Sequence, residues 1–302
     1  MIRVKVPATS ANIGPGFDAL GIALNLHNSF SFEEIPEGLE IIGCDDRYKN
    51  KNNLVYTSML KTLDKIGYKV KGIKITMDTN IPVSRGLGSS AACILGGVMG
   101  ANGLAGSPLS KDEILNIATE MEGHPDNIAP ALYGGMVVSV MEMGKVYFDK
   151  VNVVKGMKFV ALIPDFTIST KKARSVLPTA VPYDHAVYNV GRVSILISAL
   201  SNGRFDLLEY AVEDRLHQPY RGKLIPYFKD IIHVSKRLGA YGTYLSGAGP
   251  TIIGIIDNDN SNYTMGIKDY FNSIGLDWEI KELKLDLTGA VIERIKCKNE
   301  LS

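Results

Sequence analysis

The segment PVSRGLGSSAACILGG, Pro82–Gly97, constrains this chain more than any other. Gly86, Gly88 and Ser89 crowd the point where an apolar, Ala- and Gly-rich run takes on helical character. A helix N-terminus carries unpaired N–H groups and the positive end of the helix dipole. Glycines there permit positive φ and the close approach of another group. The residues alone leave two readings open: a tight turn with a serine cap, or a loop that wraps a phosphate. A Walker A loop is excluded, because the chain contains neither GKS nor GKT. A dinucleotide fingerprint is disfavoured. The preceding strand ends near Asp78, Ile81, Pro82 and Arg85 intervene, and the next element is a second helix.

A length of 302 residues suggests two domains of moderate size, with a boundary near Lys155–Gly156 (1–155 and 156–302). At 45% hydrophobic and 22% charged, the chain has the means for an ordinary core. A formal charge of +1 gives no case for a nucleic-acid or membrane-surface partner. There is no apolar run of spanning length and no signal-peptide core, so a cytoplasmic protein is expected. Cys44, Cys93 and Cys297 are few and widely spaced, which fits reduced thiols, with Cys93 a small core residue.

Strands are expected over IRVKVPATS (breaking at Pro7), ALNLHNSFSFEEI, VKGIKITMD, GGMVVSVMEMGKVYF, MKFVALIP, TIIGIID and WEIKELKL. A helix through NLVYTSMLKTLDKIG puts Leu54, Met59, Leu60, Leu63 and Ile66 near one face and stops at Gly67. Ser110 and Glu113 form a capping box ahead of Ile114, Ile117, Ala118 and Met121, and that helix breaks at Gly123 and Pro125. Further helices are expected near Ala186–Ser201, Asp206–Leu216, Tyr227–Leu238 and Met265–Ile274. Long helical insertions between strands indicate an α+β fold.

Two more glycine-rich turns accompany the first: PATSANIGPGFDALG (Pro7–Gly21) and LSGAGPT (Leu245–Thr251). In this order and spacing the three resemble the signature motifs of the GHMP kinases, which include galacto-, homoserine, mevalonate and phosphomevalonate kinases. The resemblance implies a two-domain fold, with an N-terminal ribosomal-protein-S5-domain-2-like ATP domain and a C-terminal ferredoxin-like α/β sandwich. EGHPDN, STKKARSVLP and EDRLHQPYR look like the branch that phosphorylates homoserine, which would place the chain in threonine biosynthesis.

On that resemblance, Pro82, Val83, Ser84, Arg85, Gly86, Leu87, Gly88, Ser89, Ser90, Ala91 and Ala92 wrap ATP. The loop lacks a lysine, so backbone N–H groups and Arg85 carry the anion. Asn53 is a candidate adenine contact or a helix N-cap. Magnesium falls to Ser90 and Glu122. Glu122 lies at ~80° from Ile114 on the helical wheel, beside the buried stripe, whereas Glu120 lies near ~240°.

An amino-acid substrate needs a carboxylate clamp and an ammonium acceptor. Arg174 and Arg221 suit the first; Asp18 with Asn12 suits the second. Arg221 is preferred over Arg215 on the family pattern alone. His124 is a partner for the carboxylate or the hydroxyl, and Gly247 closes the site from the second domain. Either Asp126 takes the hydroxyl proton, or Asn127 and Thr170 orient the hydroxyl while the γ-phosphate takes it. Other expectations are a homodimer and L-homoserine as the small-molecule partner. The rival readings are a mevalonate-type kinase and a nucleotide-binding module without catalysis.

Overall fold

A computed structural model of the chain describes residues 1–295; Cys297 lies outside the described residues. The first unit interleaves β1 (Ile2–Ala11), β2 (Leu20–Ile35), β3 (Gly38–Ile42), α1 (Leu54–Ile66), β4 (Gly72–Thr79), α2 (Ser89–Leu104), α3 (Lys111–Glu122), α4 (Pro125–Tyr133), β5 (Met136–Glu142) and β6 (Lys145–Val151). The second contains β7 (Met157–Ile163), α5 (Thr170–Ser175), α6 (Tyr183–Asn202), α7 (Leu208–Ala211), α8 (Gln218–Arg221), α9 (Phe228–Arg237), β8 (Gly242–Leu245), β9 (Ile252–Asp257), α10 (Asn262–Ser273) and β10 (Glu279–Leu283). A last strand, β11 (Val291–Arg294), follows. This is a two-domain α+β fold. No helix among the described residues is long and apolar enough to cross a membrane.

The first sheet runs β11-β1-β2-β4-β3, with β5 on the early half of β2 and β6 outside β5. Its central helix, α2, is buried on nearly every side, so its sequence shows no single apolar stripe. The glycines explain how it fits. A Cβ on Gly96 would lie 2.3 Å from the Phe30 ring, and one on Gly100 2.3 Å from Phe32. On the opposite side, a Cβ on Gly97 would meet the Val55 carbonyl at 2.3 Å. Small residues thus let α2 lie directly between β2 and α1.

In the second unit the antiparallel order β10-β7-β9-β8 is ferredoxin-like. Phe159, Ala161, Ile253 and Ile255 join the main core, while Val160, Leu162, Ile252 and Ile256 pack with α9 and α10. Burial on both faces explains why these strands read as unbroken apolar runs.

Three local expectations are corrected. Pro7 does not end β1; a register shift between Pro7 and Ala8 absorbs it. In α1 the buried face is Val55, Ser58, Met59, Thr62 and Leu63, because α2 sits there, and Leu54 and Leu60 are exposed. The break at Gly123 and Pro125 holds, and Pro125 also opens a further helix, occupying the first turn of α4, where its missing N–H costs nothing. The helix expected over Asp206–Leu216 is a short 3-10 turn plus α7, followed by a loop. The chain also returns at its end. Leu285 bridges to Leu24, and β11 pairs with Ile2–Lys5, so residues 156–302 do not all belong with the second sheet.

Gly→Ala inside a helix ordinarily stabilises by about 0.5–1 kcal/mol. At Gly96 and Gly100 the sign should reverse, with a loss of about 1–3 kcal/mol from overpacking against buried rings. Urea unfolding of Gly96→Ala and Gly100→Ala measures this.

Candidate active site

The glycine loop is held by its carbonyls. Ser84 O accepts from Ile168 N at 3.4 Å, Arg85 O from Thr251 N at 3.1 Å and Leu87 O from Thr9 N at 3.2 Å. Gly86 O accepts from the Ser246 hydroxyl at 2.6 Å. A trans peptide points its N–H opposite its C=O, so the following N–H groups face away from these partners. Gly86 and Gly88 take positive φ, and Gly88 caps α2. A Cβ on Gly88 would lie 1.9 Å from Thr9 Oγ1, so no larger residue fits.

A cavity of about 390 Å³ opens at this loop, of a size suited to a small ligand. Of the residues predicted from sequence, it brings together Asn12, Asp18, Asn53, Val83, Ser84, Gly86, Gly88, Ser89, Ser90, Glu122, His124, Asp126, Asn127, Thr170, Arg174, Arg221 and Gly247. Pro82, Leu87, Ala91 and Ala92 do not line it; Leu87, Ala91 and Ala92 are core. Arg85 also turns elsewhere. Its Nε and Nη2 donate to the carbonyls of Pro164 and Asp165 at 2.8 and 2.6 Å, tying the loop to the second unit. Cys93, expected in the core, is half-buried and lines the cavity, where burial pushes its thiol up to about 12. Asn53 caps α1 through Oδ1 and spends Nδ2 on Tyr48 O and Met77 Sδ. Sequence reasoning missed the wall built by Cys44, Asp45, Arg47, Tyr48, Leu54 and Met77. The polar loop before α1 resembles any surface loop, and only the tertiary fold brings it over the site.

Charged groups gather along the same cavity. Arg174 binds Asp18 with two hydrogen bonds, 2.9 and 3.2 Å. Asn12 shapes the turn: its Oδ1 accepts from Asp18 N at 3.0 Å and its Nδ2 donates to Gly247 O at 3.1 Å. Arg221 is only 2% exposed, and both guanidinium groups lie against Phe17, at 5.1 Å for Arg221 and 5.7 Å for Arg174. Burial and the nearby Arg174 pull Arg221 down to about 10, still charged at neutral pH. Arg215, by contrast, is exposed and stacks on Tyr188. His124 sits 3.8 Å from Asp18. Burial lowers its pKa.

Two further acids line the cavity. Glu122 meets the Ser90 hydroxyl at 2.8 Å, whereas Glu120 pairs with Lys65 at the surface. Burial raises the Glu122 pKa, and the Ser90 bond offsets part of that. Asp126 is buried; burial, then Asp18 and Glu122, push it up to about 7. Its neighbour Asn127 donates to it at 3.3 Å and accepts from Thr9 Oγ1 at 2.7 Å, which fixes the amide's orientation. Thr9 and Ser246 stand inside the quoted motifs, yet nothing in their residue type distinguished them.

Comparison with known proteins follows the same lines. The family model described as the GHMP kinases N terminal domain matches residues 53–135, and that described as GHMP kinases C terminal matches 196–263. The homoserine kinase of a type A strain of Clostridium botulinum is 52% identical over 296 residues, covering 98% of this chain and 100% of that one. The homoserine kinase of Clostridium beijerinckii is 50% identical over 293 residues, covering 97% and 98%. The crystal structure of homoserine kinase from Cytophaga hutchinsonii superposes with a TM-score of 0.88 at 30% identity, covering 97% of each chain. The fold extends to L. major mevalonate kinase, with a TM-score of 0.72 at 17% identity, covering 92% and 94%.

A carboxyl whose native pKa stands above its ordinary value costs stability once it ionises, and the cost grows as pH rises toward the native pKa. Asp126→Asn should therefore raise the melting temperature, by more at about pH 8 than at about pH 5. Scanning calorimetry at both pH values reads the difference, and equal shifts would contradict it.

Proposed function

The chain belongs to the GHMP kinases, on the homoserine kinase branch, and from that premise we propose that it transfers the γ-phosphoryl group of ATP to the side-chain hydroxyl of L-homoserine. The product is O-phospho-L-homoserine, an intermediate of threonine biosynthesis. One observation carries the choice of substrate: the Asp18–Arg174 ion pair beside buried Arg221, all three lining the cavity. A zwitterionic amino acid substitutes for both halves of that pair. Its carboxylate takes the guanidinium groups and its ammonium takes Asp18, so no charge is left unpaired. Mevalonate has no ammonium group and would leave Asp18 uncompensated.

In this reading the N–H groups turned out of the glycine loop bind the ATP phosphates, and the start of α2 adds its dipole. Ser90 and Glu122 would hold Mg²⁺. They are hard oxygen donors and already converge, and Glu122 is a half-buried carboxylate with no cation paired to it among the described residues. Two protein ligands suffice, because Mg²⁺ keeps waters and phosphate oxygens. When bound, the metal neutralises charge on the β- and γ-phosphates. Asn127, locked by Thr9, and Thr170 orient the hydroxyl, with His124 beside the amino acid. The first motif, PATSANIG, offers no basic residue to assist Asp126 as a base, so in this reading the γ-phosphate takes the proton. Gly247 presents the carbonyl that fixes both Asn12 and Arg221. A homodimer working in the cytoplasm completes the proposal; light scattering reads the oligomer.

ADP release with MgATP is measured against L-homoserine, mevalonate and no acceptor. Release should depend on homoserine. Arg221→Ala should raise KM for homoserine about tenfold or more, and Glu122→Ala should lower kcat about 100-fold. Asp126→Asn should cost only a few-fold; a loss of several orders of magnitude would make it the base. Release with mevalonate alone, or nucleotide binding without any turnover, would overturn the reading.

A further inference from the structure

Arg221 offers five N–H groups, and the protein spends three. Nε donates to Ala173 O at 3.2 Å. Nη1 donates to Gly247 O at 3.0 Å and faces Nδ1 of His217 at 3.4 Å. Nη2 has no partner among the described residues and is the nitrogen left for a ligand.

His217 itself never reaches the cavity; its side chain is fully buried. The ring stacks on Phe17 at 5.2 Å and 23°, and Phe17 also carries both guanidinium groups. Nε2 lies 2.8 Å from Gly14 O. A carbonyl only accepts, so Nε2 bears the hydrogen. A guanidinium only donates, so Nδ1 offers its lone pair. The two neighbours thus demand the same neutral tautomer. Asp214, 3.7 Å from Nε2, does not compete for the ring. Its oxygens accept from the backbone N–H groups of Leu216, His217 and Gln218 and from the Asn189 amide.

We propose that His217 is a positioning residue for the amino-acid substrate: its neutral ring holds Nη1 of Arg221 so that Nη2 faces the carboxylate, and protonation releases that hold. The inference rests on Arg221 as the carboxylate anchor. Protonated Nδ1 would set N–H against N–H beside a like charge. The charged groups around the ring are Asp214 from its own turn, Arg221 from α8, and Asp18 and Arg174 across Phe17. Burial lowers the His217 pKa below the ordinary imidazole value; Asp214 and Asp18 oppose this and Arg221 adds to it. The hold therefore persists at neutral pH and fails on the acid side.

The test is KM for L-homoserine and KM for ATP with the full chain, from about pH 5 to about pH 8. In the wild type, KM for homoserine should climb toward the acid end. His217→Leu should raise it about tenfold or more near pH 8, with KM for ATP and kcat within about threefold, and should flatten the climb to whatever His124 in the cavity contributes. His217→Asn, whose amide oxygen can take the place of Nδ1, should recover most of the affinity and show the same flattened climb. An unchanged homoserine KM in His217→Leu, or kcat and both KM values worsening together, overturns the inference. Should His217→Leu not fold, His217→Asn decides, and a wild-type acid climb in it is the overturning result. A wild type inactive on homoserine at every pH sinks the parent reading and takes this inference with it. Homoserine turnover with an indifferent His217 sinks the inference alone.

Discussion

Four consecutive carbonyls, Ser84 to Leu87, are each claimed by a donor from elsewhere in the protein. The rest of the site depends on that. A loop with two positive-φ glycines has many conformations, and only one of them turns its N–H groups together toward an anion. Here the selection comes from β1 and from the second unit. Arg85 strengthens it by gripping Pro164 and Asp165. The positive side chain expected to meet phosphate thus spends its charge on carbonyl dipoles, and in the proposed function the backbone meets the anion in its place. Such preorganisation matters most in phosphoryl transfer, where positioning and charge stabilisation replace covalent chemistry.

The charged end is built on a second economy. Asp18, Arg174, Arg221 and Asp126 lie near one another, the last two buried, and isolated charges there would be costly. The Asp18–Arg174 pair compensates itself, Arg221 is spread over two carbonyls, an imidazole and an aromatic face, and Asp126 rises to about 7. Each group is satisfied in a way that an amino acid's own charges can take over.

Much of this was legible in the sequence because it is local. The capping box at Ser110, the stop at Gly67 and the inward turn of Glu122 all follow from spacing within one helix. The glycine loop announced itself by composition. What stayed hidden depends on partners far away in the chain. Arg85 looked like an anion ligand because nothing local reveals Pro164. Pro125 looked like a breaker because its role as a first-turn residue depends on a helix that the pattern had not identified. The wall around Tyr48 and Met77 comes from β4, the start of α1 and a polar loop that meet only in the folded state. Nothing local marks His217, since its partners, Gly14 and Arg221, are a carbonyl and a side chain that periodicity does not register.

The return of the chain after β10 has a mechanical meaning. The polypeptide passes between the two sheets twice, once from β6 to β7 and again from β10 to β11, where Leu285 bridges Leu24 and β11 docks on β1. The halves also share one hydrophobic core, to which both sheets contribute. With two crossings, a cut through either one alone would leave the halves tethered by the other.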